Sequence, residues 1–193
     1  NPRSTHDQNT PEDQHKVYRW IQAKLPHIFD LAAIASSYSG PITGERMITI
    51  NALAPADRPA WERLFAEYNA FYGRDTMPPG FYDDAWAEFQ AGQRMHALGA
   101  KVDGEIVGIV HFFVHPSTTS ADVCYLQDLF TSPEARGKGV ARQLIAAVKE
   151  WGTSQGCVQL YWHTKQDNHT ARLLYDKVAE NKGFIQYSIP LEP

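Results

Sequence analysis

The feature that most restricts the fold is a period that changes twice within one stretch. "DVCYLQDLFT" (122–131) reads as a strand, "GKGVARQLIAAVKEWGTSQG" (137–156) as a helix, and "CVQLYWHT" (157–164) as a strand again. Val140, Leu144, Val148 and Trp151 fall on one stripe of that helix. A further helix, "NHTARLLYDKVAENKG" (168–183), and a final strand, "FIQYSIP" (184–190), follow. Upstream, "HALGAKVDGEIVGIVHFFVHP" (96–116) reads as a hairpin turning at Asp103-Gly104, a dipeptide preferred where both turn residues need positive φ. An alternating strand–helix end behind a hairpin middle implies an α/β chain with a mixed sheet and helices on both faces.

The segments ahead of the hairpin fit that plan. "MITINAL" (47–53) is a first strand, and "DRPAWERLFAEYNAFYG" (57–73) is a helix. In it Trp61, Leu64, Phe65, Tyr68, Phe71 and Tyr72 recur at three- and four-residue steps before Gly73 stops it. "DDAWAEFQAGQR" (83–94) is a second helix, with Asp83 or Asp84 as its cap. Residues 1–46 read as an accessory extension: a polar aperiodic start, short amphipathic helices broken at Pro26, and the linker "SGPITGE". Residues 47–193 form one domain of ordinary size.

Charge and cysteine usage remove several function classes. A net charge of −4 and a pI near 6.1 argue against a nucleic-acid binder, which carries a basic surplus. No apolar run approaches the roughly 20 residues of a membrane span. Cys124 and Cys157, each in an apolar run, read as buried thiols in a reducing, cytoplasmic compartment. The eight histidines are scattered and show no metal-ligand spacing, so no metal is expected.

The chemistry concentrates in "EARGKGVAR" (134–142), between a strand and a helix. Gly137 and Gly139 permit a tight turn and let backbone N–H groups approach a ligand. A helix N-terminus carries unpaired donors and partial positive charge, and Arg136, Lys138 and Arg142 add formal charge, so a phosphate fits there. The pattern is not a P-loop. A dinucleotide fingerprint fails too, because Arg142 stands at its third glycine and the next strand ends in His and Thr.

A second motif joins the first. Arg136-Gly137-Lys138-Gly139-Val140-Ala141 matches Q/R-x-x-G-x-G/A, and Asn168, Ala171, Leu174, Tyr175, Gly183 and Phe184 match N-x-x-A-x-x-L-Y followed by G-F. With both in order, residues 47–193 resemble the GCN5-related N-acetyltransferases (GNAT), looking most like their small-amine and histone-type branches. The resemblance implies a central mixed, largely antiparallel sheet with two splayed parallel strands, 122–131 and 157–163. It implies acetyl-coenzyme A in the gap between them and transfer of its acetyl group to a primary amine.

The resemblance also implies residue roles. A bulge in the first splayed strand leaves backbone groups free for the cofactor. Leu129 N–H polarises the thioester carbonyl, Phe130 and Thr131 hold the pantetheine arm, and 136–142 (Arg136, Gly137, Lys138, Gly139, Val140, Ala141, Arg142) takes the pyrophosphate. Asn168 bonds the pantetheine or acyl side, and Tyr175 is the acid for the departing thiolate. Gln127 stands where diamine enzymes carry a glutamate base, and an amide cannot accept that proton. Asp128 ranks first as base, with His111 and His163 as alternatives acting through water. The helix pair 57–94 lines the acceptor side with aromatics and with Asp75, Asp83 and Asp84, which suits an ammonium group on a small amine, an amino acid or a lysine side chain. A homodimer through the last strands is a further implication. A coenzyme A-binding sensor without turnover is the alternative that Gln127 favours, against Asn168 and Tyr175.

Overall fold

The computed structural model describes residues 39–41 and 47–191. One sheet runs β1 (Ser39–Pro41), β2 (Met47–Ala52), β3 (His96–Val102), β4 (Glu105–His115), β5 (Val123–Thr131) and β6 (Gln159–Tyr161), in that spatial order. Every neighbouring pair is antiparallel except β5 and β6, which are parallel. The β3–β4 hairpin closes where expected, with Asp103 at φ 53° and Gly104 at φ 87°. Among the described residues, four α-helices flank the sheet: α1 (Arg58–Phe71), α2 (Phe81–Ala91), α3 (Val140–Ser154) and α4 (His169–Val178).

The sheet has a core on each face. On one, Trp61, Leu64, Phe65 and Tyr68 of α1 join Trp86 and Phe89 of α2 over Leu53, Ala97, Ile106, Ile109 and Phe130. On the other, Val140, Leu144, Val148 and Trp151 of α3 lie on Ile48, Leu98, Val110, Phe112 and Leu126. The period of two sorts β4 between them: Val110 and Phe112 face α3, while Ile109 faces α1 and α2. Gly108 lets the start of α3 close on the sheet, since a Cβ there would lie 2.8 Å from Val140 Cγ1.

Local structure departs from the sequence reading in four places. First, α2 starts at Phe81, because Gly80 (φ 80°) turns the chain into the helix. Asp83 and Asp84 therefore sit in its first turn rather than capping it, and Asp83 pairs with Arg58 at 2.7 Å. Second, α4 ends at Val178 rather than running on to 183. Third, "FIQYSIP" is not a strand. Among the described residues it pairs with no strand, and Phe184, Ile185, Tyr187 and Ile189 stand exposed. Apolar alternation marks a segment able to pair, and here the sheet ends at β6 without it. Fourth, Ser39–Pro41, inside the stretch read as linker, adds a strand beside β2; the helices expected within 1–38 lie outside the described residues.

The cysteines behave as read. Cys124 is buried and Cys157 half-buried, and burial pushes their thiols up to about 12 and about 11. Neither is a nucleophile at neutral pH.

Candidate active site

The site begins with a strand pair that separates. β5 and β6 pair only over Val123–Gln159, Cys124–Leu160 and Tyr125–Tyr161. β5 continues to Thr131 while β6 stops, so from Leu126 onward the β6-facing edge of β5 has no strand beside it. Unpaired strand backbone is a template for an extended ligand. The splay expected from the sequence is present.

A bulge sits at the head of this gap. His111 pairs with Asp128, but the next β4 residue, Phe112, pairs with Leu126. Gln127 is thus the extra residue, exposed at its position. The extra residue resets the alternation beyond it. Asp128 then lies opposite His111, on the α1 and α2 side, and Leu129 packs toward α3.

The glycine loop closes the far end. Gly137 (φ 74°) and Gly139 (φ 84°) are both left-handed, and Gly139 is the residue before α3. A Cβ at either would meet nothing within 4 Å, so glycine is required there by backbone conformation, not by space. No side chain caps the helix, which leaves its first amides open. Arg136, Lys138 and Arg142 are exposed and form no ion pair among the described residues. Arg136 lies back over the Phe130 ring at 5.8 Å, its Nε donating to Thr131 O at 3.3 Å. Two buried oxygens nearby in sequence lack partners, Thr131 Oγ1 and Gln143 Oε1. A buried acceptor is rarely left so. The Phe130 ring itself is buried beneath α1, and its backbone belongs to the β4 side, where Phe130 pairs with Ile109 and Ser132 N–H bonds Val107 O, so Leu129 and Thr131 turn their backbone groups to the gap.

The acceptor side is built of tyrosines around Asp128. Its Oδ2 lies 2.9 Å from His111 Nδ1. Burial first, then the Asp128 charge, push the Tyr68 phenol far up, and the same two causes raise Tyr72. Gly73 (φ 72°) ends α1 as expected, and Arg74 N–H returns to Asn69 O at 2.9 Å. That turn carries the Arg74 guanidinium to 5.6 Å from the ring centres of both Tyr68 and Tyr72. Lys165 Nζ lies 5.2 Å from the Tyr72 ring. At the point where the strands part, Tyr125 and Tyr161 stack obliquely at 5.0 Å, and the Tyr125 hydroxyl bonds His163 Nδ1 at 3.1 Å.

The remaining sequence-derived residues divide. Tyr175 packs edge-on against Trp162 at 5.3 Å, and its phenol is pushed up to about 12 by burial and then by Tyr72. It therefore holds its proton throughout the physiological range. Asn168 acts on the protein itself: its Oδ1 caps α4 by accepting from Ala171 N–H at 3.4 Å, and its Nδ2 donates to Thr164 Oγ1 at 3.0 Å. His111 is wholly buried with both ring nitrogens engaged, so water does not reach it. Asp75 lies in an exposed loop, and Asp83 is paired with Arg58. Arg74 and Lys165 were absent from the sequence reading, because a lone cation in a loop carries no periodic signal.

Residues 61–179 match the acetyltransferase (GNAT) family. The chain belongs to the GNAT acetyltransferases. It is 33% identical over 144 residues to D-amino-acid N-acetyltransferase HPA3 of Saccharomyces cerevisiae, covering 72% of this chain and 89% of that protein. An aminoglycoside N(6')-acetyltransferase type 1 of Salmonella typhimurium is 33% identical over 120 residues, covering 58% of this chain and 79% of its own. Among solved structures, aminoglycoside N-acetyltransferase AAC(6')-Iy in complex with CoA superimposes with a TM-score of 0.68 at 21% identity, over 78% of this chain and 99% of that one. The GNAT chain is an acetyl-CoA-dependent acyltransferase that acetylates amines. Among the described residues, no helix is long and apolar enough to cross a membrane.

Proposed function

We propose that this GNAT acetyltransferase acetylates the primary amine of a free amino acid. Acetyl-CoA supplies the acetyl thioester; the open amides from Val140 onward, with Lys138 and Arg142, hold its pyrophosphate, and the free edge of β5 from Leu129 to Thr131 holds its arm. Asp128 is the base that takes the proton from the acceptor nitrogen. Tyr175, kept protonated by burial, gives its proton to the departing sulfur. One N–C bond forms, one C–S bond breaks, and the two protons balance. Asp128 then releases its proton to solvent, from which Tyr175 regains one.

The observation that carries the acceptor class is the pairing of opposite charges across two tyrosines. The Asp128 charge acts on Tyr68 and Tyr72, and Arg74, in no ion pair among the described residues, lies against the same two rings. An amino acid presents an amine to the first and a carboxylate to the second, with Lys165 adding positive charge beside Tyr72. An aminoglycoside, which carries several ammonium groups and no carboxylate, is repelled by the two cations. The similarity to a D-amino-acid N-acetyltransferase supports the same class.

The test is thiol release with alanine, ethylamine, phenylalanine, phenethylamine and kanamycin as acceptors. The amino acids are expected to exceed their carboxyl-free analogues in kcat/KM by about tenfold or more, the worth of one charge-assisted contact. Arg74→Ala is expected to erase that ratio without changing the KM for acetyl-CoA. Kanamycin as the preferred acceptor refutes the reading. The proposal includes a homodimer formed through 184–191, supported by the exposure of Phe184, Ile185, Tyr187, Ile189 and Leu191 along one unpaired segment.

A further inference from the structure

Behind Asp128 stands a buried chain of two hydrogen bonds whose direction is set by chemistry alone. Trp61 Nε1 lies 2.9 Å from His111 Nε2, and His111 Nδ1 lies 2.9 Å from Asp128 Oδ2. An indole nitrogen only donates. The Trp61 N–H therefore needs a lone pair on Nε2, which leaves the imidazole proton on Nδ1, pointing at the carboxylate. A second proton on His111 would set two N–H groups against each other at 2.9 Å. Both Trp61 and His111 are fully buried, and His111 is sleeved by Phe89, stacked at 4.4 Å, and Phe65, edge-on at 4.7 Å. The indole–imidazole bond is closed to water, while the Asp128 side chain at the other end is 14% exposed.

We infer that Trp61 locks His111 as a neutral Nδ1–H donor, making His111 a positioning residue that fixes one oxygen of Asp128 and cannot take its proton. The inference rests on the reading of Asp128 as the base. The bulge at Gln127 brings the carboxylate opposite His111, and the bond from Nδ1 holds Oδ2 in the sheet, with the Tyr68 phenol also hydrogen-bonded to the carboxylate. The proton that leaves the amine comes to rest on Asp128, and the imidazole stays neutral throughout. The ionisable groups facing Asp128 are Tyr68 and Tyr72 from α1 and its C-terminal end, Tyr125 from β5 and His111 from β4, and Trp61 leaves His111 no place for a second proton. The acid side of the rate profile is then a single ionisation.

The test combines histidine ¹⁵N NMR with pH–rate profiles on the full chain. In the native protein, His111 is expected to show a protonated Nδ1 and a bare Nε2, unchanged between about pH 5 and 9. Trp61→Phe frees Nε2, so His111 is expected to titrate. The cation beside Asp128 weakens that carboxylate as a base, giving a second proton in the acid limb and about a tenfold loss of kcat/KM near pH 6 that recovers at higher pH. His111→Asn keeps a donor near the place of Nδ1 and is expected to retain activity within about threefold. His111→Leu, which keeps bulk and loses the donor, is expected to lose about hundredfold in kcat at an unchanged KM for acetyl-CoA. Equal losses in the Asn and Leu variants, or a protonated Nε2 in the native protein, overturn the inference. Full activity in Asp128→Asn refutes the underlying base assignment instead, a different result from either.

Discussion

Gly108 offers a way to move the glycine loop without touching it. A methyl group at residue 108 would lie 2.8 Å from Val140 Cγ1, 3.2 Å from Leu144 Cδ1 and 3.2 Å from the Phe130 carbonyl oxygen. Ordinary carbon contacts are about 3.5–4.0 Å, so the start of α3 must withdraw by about 1 Å or Val140 must leave its rotamer. Val140 is β-branched and stiff in a helix, and the carbonyl belongs to a buried strand, so withdrawal is the cheaper path. Overpacking of this kind costs about 1–3 kcal/mol, and 2 kcal/mol lowers the melting temperature by about 4–8 °C for a chain of this size. Val140 is also the first residue of α3 after Gly139, so the amides proposed for the pyrophosphate withdraw with it. Losing one hydrogen bond to a charged group is worth about 1.5–3 kcal/mol, roughly tenfold or more in the affinity for coenzyme A. The control is Gly99→Ala, whose methyl lies equally close, 2.8 Å from Leu53 Cδ2, but on the α1 and α2 face. Calorimetric titration with coenzyme A and thermal melts of both variants separate the effects. Both are expected to melt early, and Gly108→Ala alone to bind coenzyme A weakly. Equal affinities in the two variants would refute the coupling between this packing contact and the loop.

Other outcomes follow from titration and from exposed surface. Tyr175 and Tyr68 have folded-state values raised above the ordinary tyrosine range by burial, so the native protein holds their protons more tightly than the unfolded chain does. Their contribution to native stability is fully present below about pH 10 and is lost as pH rises from about 10 toward 12, where the unfolded chain releases protons that the native state keeps. Melting temperature is expected to be flat with pH up to about 10 as far as these groups are concerned and to fall beyond it, with a shallower fall in Tyr175→Phe. That variant is also expected to lose about hundredfold in kcat while keeping its KM for acetyl-CoA. Removing residues 184–193 is expected to convert a dimer into a monomer in light scattering; an unchanged mass refutes the proposed interface.

How much of this was legible in the sequence depends on the distance over which each feature is determined. The glycine loop and the Asp103-Gly104 turn are local: positive φ at two residues this close in the chain has few solutions, and residue type reveals them. The stripes of α1 and α3 are set by helical period and read equally well. The bulge at Gln127 depends on how β4 and β5 register against each other, so only family resemblance pointed to it. The Trp61–His111–Asp128 chain joins three elements far apart in sequence, and no spacing rule links them. Asn168 was visible as a motif residue, but its amide serves the start of α4, a role any helix-capping asparagine shares. The tail from Phe184 shows the opposite failure: its alternation was clear, yet alternation marks a segment that can pair, not one that does.

The central claim is that acetyl-CoA lies with its pyrophosphate on the open amides of α3 and its arm along the unpaired edge of β5. A backbone amide NMR titration with coenzyme A tests it most directly. The expected result is a set of saturable shifts confined to Leu129–Thr131 and Gly137–Arg142. The competing location is the cavity of about 800 Å³ lined by Lys149, Cys157, Leu160, Trp162, Val178 and Ile185. Shifts gathered there, with Gly137, Gly139 and Val140 unmoved, would contradict the account.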